Sequence, residues 1–390
     1  MSSRRFTRAL AAGLLAVLLL SASLASTQGA SKAPDVVIVY AEGAGFPFAD
    51  PEASTLPGLR RLRGMGRPFD AAFAPDSNWQ GAFESTLGGA RGRALALPAA
   101  LARGGYATTL VGPSAATPGF ARAVPANLDA TAGEVLKALS AAAGKPALVV
   151  AKLDLRGVPG GVAPASAAAP PIESPAIALS DRAPLDPLGL TVLPPPRKAS
   201  DRASLQAQRV AAFAALDRTM SAILDGIGKA GRLNRTVVAV VSGGPAPAPE
   251  RAAPPRPDLL FEDWLRCLLV IVSPGLSAPG TPAAGLARLD DLAPTVARLA
   301  GLSLAGTDGL DLGPALKDPA AVVRDSVLTS ADRMPPRIGR SLRTAQFRYT
   351  LWPDGSEELF DEAADPREWT NLADDAAARS RKAEMARRLA

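Results

Sequence analysis

Five short runs of apolar and mostly β-branched residues recur along this chain with helical patterns between them: Val36–Tyr40, Ala107–Val111, Ala147–Leu153, Thr236–Val241 and Cys267–Val272. None shows the apolar–polar alternation of a strand with one face in water, so each reads as a strand buried on both faces. Strands of this kind, separated by helices, predict a mostly parallel sheet covered by helices on both sides. The intervening helices are expected at Leu56–Arg63, Leu97–Arg103, from the capping-box spacing at Thr131 to about residue 143, over Leu205–Ile227, and from Asp290 or Asp291 to Ala300. Near the C-terminus, Phe347–Trp352 and Glu357–Phe360 flank Pro353-Asp354-Gly355, a turn signal that predicts a hairpin in a small antiparallel subdomain. A final helix is expected from about Ala376.

At 390 residues the chain is long enough for one large α/β domain with an appendage, and at 47% hydrophobic it can bury a substantial core. The expected organisation is a signal peptide over 1–25, a tether over 26–33, the α/β domain over 34–315 and the small subdomain over 316–390. Residues 157–200 form a Pro/Ala-rich excursion from the α/β domain. Arg4, Arg5 and Arg8 precede the apolar run Ala9–Leu20, which is short for a membrane span, and Ser23-Leu24-Ala25 supplies a small-x-small cleavage site. These features predict export to the periplasm or beyond, with no membrane span in the mature chain. No cysteine stands directly after the apolar run, so a lipoprotein anchor is not expected. Cys267 is the one cysteine, so no intrachain disulfide can form. Taking the three signal arginines from the 43 basic residues leaves 40 against 37 acidic ones, a mild +3 without basic runs, and nucleic acid is not an expected partner.

The chain contains no histidine. Neither a general base nor a metal ligand can therefore be an imidazole.

The order of segments resembles the sulfatase family, within the alkaline-phosphatase-like superfamily, over most of the mature chain. Pro34–Ala41 is similar to the family's opening strand, Leu56–Leu62 to its T-P-N-L-D-R-L helix, and Gly105–Gly112 to its G-Y-x-T-x-x-x-G strand. Lys145–Asp154 is similar to the K-P-F-F-L-…-D-P-H segment, and Asp291–Thr295 with Leu299–Gly301 to D-L-A-P-T-…-L-A-G. Glu358–Asp361, Asp365-Pro366 and Thr370–Leu372 follow the family's E-L-Y-D-…-D-P-…-T-N-L ending, in its iduronate-type form. The resemblance implies a strand-end site where a divalent cation, usually calcium, sits among acidic ligands. It also implies a formylglycine made from the Cys or Ser of a C/S-x-P-x-R motif, with lysines and histidines holding the sulfate.

Carried over residue by residue, those roles fall on unsuitable side chains. The opening aspartates fall on Glu42 and Gly43, the later Asp-His pair on Gly243 and Gly244, and the Asp-Pro-His histidine on Arg156. The nucleophile position falls on Ser77, or on Trp79 in the other count, within a segment that lacks the motif's proline and arginine. Glu42 and Ser77 are thus vestigial candidates for metal ligand and nucleophile, and each reads more readily as an ordinary residue, Glu42 a loop carboxylate at a strand end and Ser77 a loop serine. Arg156 is the best remaining candidate for holding an anion. The resemblance therefore implies a lost calcium site, no cofactor, and a catalytically inactive relative that binds an anionic glycan or a protein partner. A hydrolase with a non-standard site and a purely structural protein are the alternatives.

Overall fold

The computed structural model describes residues 33–46, 55–76, 81–89, 95–113, 118–142, 144–156, 158, 199–243, 260–333 and 337–390. The expected signal peptide, nearly all of the tether and almost all of the 157–200 excursion lie outside the described residues.

A seven-stranded sheet carries the core. It contains β1 (Asp35–Glu42), β2 (Arg67–Pro68), β4 (Ala107–Gly112), β5 (Arg122–Pro125), β6 (Ala147–Asp154), β7 (Thr236–Gly243) and β9 (Leu269–Val272), in the order β2-β9-β7-β1-β6-β4-β5. The pairs from β7 across to β5 are all parallel; β9 runs antiparallel to β7, and β2 antiparallel to β9. The central strands read as continuous apolar runs because both faces are buried. On β1, Val36, Ile38 and Tyr40 face one core cluster, and Val37, Val39 and Ala41 face the other.

The run Cys267–Val272 is two strands and not one. Arg266–Cys267 forms β8, which pairs with β3 (Ala72–Phe73) in a three-stranded sheet completed by β10 (Ala287–Arg288), while β9 returns to the large sheet. Leu268 is the crossing point, and its N–H is taken up by the Ser242 hydroxyl at 2.7 Å.

The helix expected to open at Thr131 begins three residues earlier and spans Leu128–Ala141. Its N-cap is Asn127, whose side chain accepts from the Ala130 N–H at 2.9 Å, while the Thr131 hydroxyl donates to the Asn127 carbonyl. The other helices lie close to expectation at Pro57–Met65, Ala96–Arg103, Ala199–Lys229, Leu292–Leu299 and Arg379–Leu389. Among the described residues no helix is long and apolar enough to cross a membrane.

The C-terminal hairpin is present as β13 (Phe347–Leu351) and β14 (Glu357–Asp361), but it is half of a four-stranded antiparallel sheet. β11 (Ser326–Arg333) and β12 (Arg337–Thr344) complete it. Phe73, Leu260, Leu265, Leu286, Val327 and Trp352 form an apolar seam between this sheet and the elements around β3 and β8.

The motifs behind the family resemblance turn out to be hydrogen-bond hubs. Asn371 accepts from the N–H groups of Leu359 and Ala373 and donates to the Glu357 carbonyl, so it pairs with the outer strand β14. Asp361 caps the turn at Ala363 and Ala364, and Asp365 accepts from the Thr370 N–H.

Candidate functional site

In open α/β sheets, ligands gather at the carboxyl ends of the parallel strands. Here Glu42 ends β1, with Asp154 beside it on β6 and Gly243 beside it on β7. The two-residue period of a strand puts Tyr40 and Glu42, Lys152 and Asp154, and Gly243 on one face of the sheet. That face is covered by the short helix Ala82–Thr86, whose Phe83 stacks edge-on against Tyr40 with ring centroids 5.1 Å apart.

Glu42 is therefore a strand residue and not a loop carboxylate, and it is 6% exposed. It is compensated from within the chain. Its Oε1 lies 2.9 Å from Arg156 Nη1, and its Oε2 lies 3.3 Å from Lys152 Nζ. Lys152 also sits 5.0 Å from the centre of the Phe83 ring. Arg156, expected as a lone anion holder, instead reaches back over the strand ends. Its Nε donates to Asp154 Oδ1 at 2.9 Å and its Nη2 to Asp154 Oδ2 at 2.7 Å. These bonds hold the Asp154 carboxyl below the usual range and raise the guanidinium above its own. The side chains of Arg156 and Asp154 remain 46% and 40% exposed.

The two glycines at this end are required by their surroundings. Gly43 has φ +86°, and its N–H donates to the Gly243 carbonyl at 2.7 Å. A Cβ on Gly43 would stand 2.7 Å from Arg156 Cγ. A Cβ on Gly243 would stand 1.5 Å from the Tyr40 hydroxyl oxygen. The space for a ligand side chain at 243 is thus filled by the Tyr40 phenol. Tyr40 is 1% exposed, and its hydroxyl has no hydrogen-bond partner among the described residues. Burial, and then the nearby acidic groups, raise that phenol well above its ordinary value, so it stays neutral.

This donor set does not fit a divalent cation. Glu42 already faces two cations, Gly43 and Gly243 offer no side chain, and no group of three or more His, Cys, Asp or Glu among the described residues could hold a metal ion. Gly243→Ala is expected to destabilise the fold by about 1–3 kcal/mol through overpacking against Tyr40, measured by denaturant unfolding. Tyr40→Phe in the same background should recover part of the loss, because it removes the clashing oxygen.

Ser77 and Gly244 lie outside the described residues. Cys267 is buried, and burial pushes its thiol up to about 12, which leaves it inert at neutral pH. Sequence reasoning missed Lys152 and Tyr40. A single lysine within the apolar run Ala147–Leu153 was the available signal for the first. The role of Tyr40 depends on the register between β1 and β7.

No family model matches the chain, and no curated protein matches it. Solved structures do. A protein of Bacteroides thetaiotaomicron provisionally assigned as a sulfatase superposes with a TM-score of 0.75 at 16% identity, over 92% of this chain and 91% of that one. The phosphonate monoester hydrolase of Agrobacterium radiobacter gives 0.70 at 20% identity, over 91% and 94%. A protein solved in complex with its substrate D-glucosamine-2-N,6-O-disulfate gives 0.70 at 15% identity, over 92% and 97%. Identities this low carry the fold alone. A large mostly parallel sheet between helices, joined to a small four-stranded antiparallel sheet, gives this chain the fold of the sulfatases and of phosphonate monoester hydrolase, the alkaline-phosphatase-like fold.

Proposed function

We propose that this protein is an exported, catalytically silent relative of the sulfatases that binds a sulfated sugar at the carboxyl ends of β1 and β6. The observation that carries this reading is the self-neutralised cluster of Glu42, Lys152, Arg156 and Asp154, standing where a metal-dependent hydrolase needs uncompensated carboxylates. With no histidine in the chain, a leaving group would also lack an imidazole acid.

Binding remains open to the same cluster. The Arg156–Asp154 pair is open to solvent, with side chains 46% and 40% exposed, and solvent-exposed pairs contribute about 0–1 kcal/mol, so a sulfate can replace Asp154 as the partner of the guanidinium at little cost. The similar protein solved with a disulfated glucosamine has such a sugar as its substrate, and the analogy rests on fold.

Calorimetry with glucosamine-2-N,6-O-disulfate and with unsulfated glucosamine tests the reading, alongside turnover of an aryl sulfate and an aryl phosphate. The expected result is salt-sensitive binding of the sulfated sugar alone, at least tenfold weaker in Arg156→Ala, with no turnover of either ester. Turnover that Glu42→Ala abolishes would replace this reading with that of a hydrolase with a rebuilt site. Equal affinity for both sugars would remove the sulfated ligand.

A further inference from the structure

Glu42 and Asp154 are register partners on neighbouring parallel strands, with side chains on the same face. Two carboxylates so placed repel each other unless a positive charge lies between them. Arg156 supplies it as a bridge: Nη1 lies 2.9 Å from Glu42 Oε1, while Nε and Nη2 both donate to Asp154. The bridge is anchored from its backbone outwards. The Leu155 N–H donates to the Glu42 carbonyl at 2.9 Å, the Arg156 N–H donates to Asp154 Oδ1 at 3.2 Å, and the Arg156 stem packs where Gly43 has no side chain. A larger residue at 43 would displace that stem.

We infer that Arg156 is a tethered substitute for a divalent cation, holding the β1 and β6 ends together as a bound ion would, so that the Glu42 and Asp154 carboxylates stand side by side with no metal between them. The inference goes beyond the binding reading, since it concerns what holds the strand ends together and not what docks on them. It predicts that the wild type is indifferent to calcium and that calcium dependence appears when the tethered charge is removed.

The test is the melting temperature of the full chain, with calorimetry, in millimolar calcium chloride, in sodium chloride of matched ionic strength, and in EDTA. The variants are Arg156→Ala, Arg156→Lys and the double variant Arg156→Ala with Glu42→Gln. Wild type and Arg156→Lys should melt at the same temperature in all three solutions. Arg156→Ala should melt lower and regain part of the loss with calcium, and the added Glu42→Gln should abolish that gain. Stoichiometric calcium binding by the wild type would overturn the inference, and so would an Arg156→Ala protein that calcium leaves unchanged. If Arg156→Ala does not fold, Arg156→Gln, which keeps the polar stem, takes its place under the same criteria. None of these readouts depends on sulfated-sugar binding or on turnover, so failure here is separable from failure of the functional reading.

Discussion

Arg348→Ala is expected to destabilise the protein by about 3–5 kcal/mol, the usual cost of leaving buried charges without a partner. Arg348 is 1% exposed. Its guanidinium bonds to Glu262 and lies 2.7 Å from Glu368 Oε1 and 3.4 Å from Glu362 Oε1. Arg343 completes the cluster, 2.9 Å from Glu262 Oε2 and 3.5 Å from Glu362 Oε1. Arg343 and Arg348 thus meet three buried carboxylates, with Arg266 a further positive charge acting on Glu262 and Glu362, and one carboxyl is pushed towards keeping its proton. That carboxyl is Glu362. Burial, and then the charges of Glu368 and Glu262, push it up to about 9 against the pull of Arg348 and Arg343. Glu262 is held low: burial works against its charge, but Arg348 and Arg343 outweigh burial. Because the folded value for Glu362 lies above the unfolded one, the folded state binds the extra proton in between. Its contribution to stability is full below the ordinary carboxylate value and is lost as pH rises towards about 9. Glu362→Gln fixes the neutral form, so its unfolding free energy should exceed that of the wild type at alkaline pH and lose that part of the pH slope. Urea titrations of wild type and both variants across this range check the pair of expectations. An unchanged slope in Glu362→Gln would mean that another carboxyl holds the proton.

The parts of this architecture that were legible in the sequence are those whose signal is local. β1, β4, β6 and β7 announce themselves because a strand buried on both faces must be apolar along its whole length. β11 and β12 do not, because Ser-Val-Leu-Thr-Ser-Ala-Asp-Arg and Arg-Ile-Gly-Arg-Ser-Leu-Arg-Thr carry charges that a single strand gives no reason to bury. Arg343, on β12, is buried because Glu262, 81 residues earlier in the chain, comes to meet it. The same limit applies at the candidate site. The absence of a side chain at Gly43 and Gly243, where the family resemblance leads one to expect ligands, could be read directly. That Tyr40 fills the space beside Gly243, and that Lys152 and Arg156 neutralise Glu42, requires the registers of β1 with β7 and with β6. Helix starts failed for a related reason: Thr131 and Asn127 both have capping chemistry, and the chain conformation at Asn127, with ψ near 175°, makes it the cap.

Asp291→Ala is expected to cost about 3–5 kcal/mol as well, for a different reason. The Asp291 side chain is fully buried and accepts four hydrogen bonds. Oδ1 takes the Leu310 N–H at 2.7 Å and Arg324 Nη2 at 2.7 Å; Oδ2 takes the Arg288 N–H at 2.7 Å and Arg324 Nε at 3.2 Å. It stands at the N-cap position of the helix Leu292–Leu299, yet its side chain makes no cap bond there. Instead it ties β10, the loop at residue 310 and Arg324, just ahead of β11, to the start of that helix. The next hub follows one turn on, where the Thr295 hydroxyl donates to the Asp291 carbonyl and accepts from the Leu312 N–H. Removing the carboxylate would strand two backbone donors and a guanidinium that is only 15% exposed. Asp291→Asn separates shape from charge. It preserves the side-chain outline but turns an NH₂ group towards donors, so it should lose nearly as much as the alanine variant in denaturant unfolding. An asparagine variant as stable as the wild type would show that outline alone, and not acceptance by an ionised carboxylate, is what this segment demands. The Asp-Leu-Ala-Pro-Thr segment, among those that carry the family resemblance, would on the expected result be one that holds the scaffold together. Such a role does not depend on what the strand ends bind.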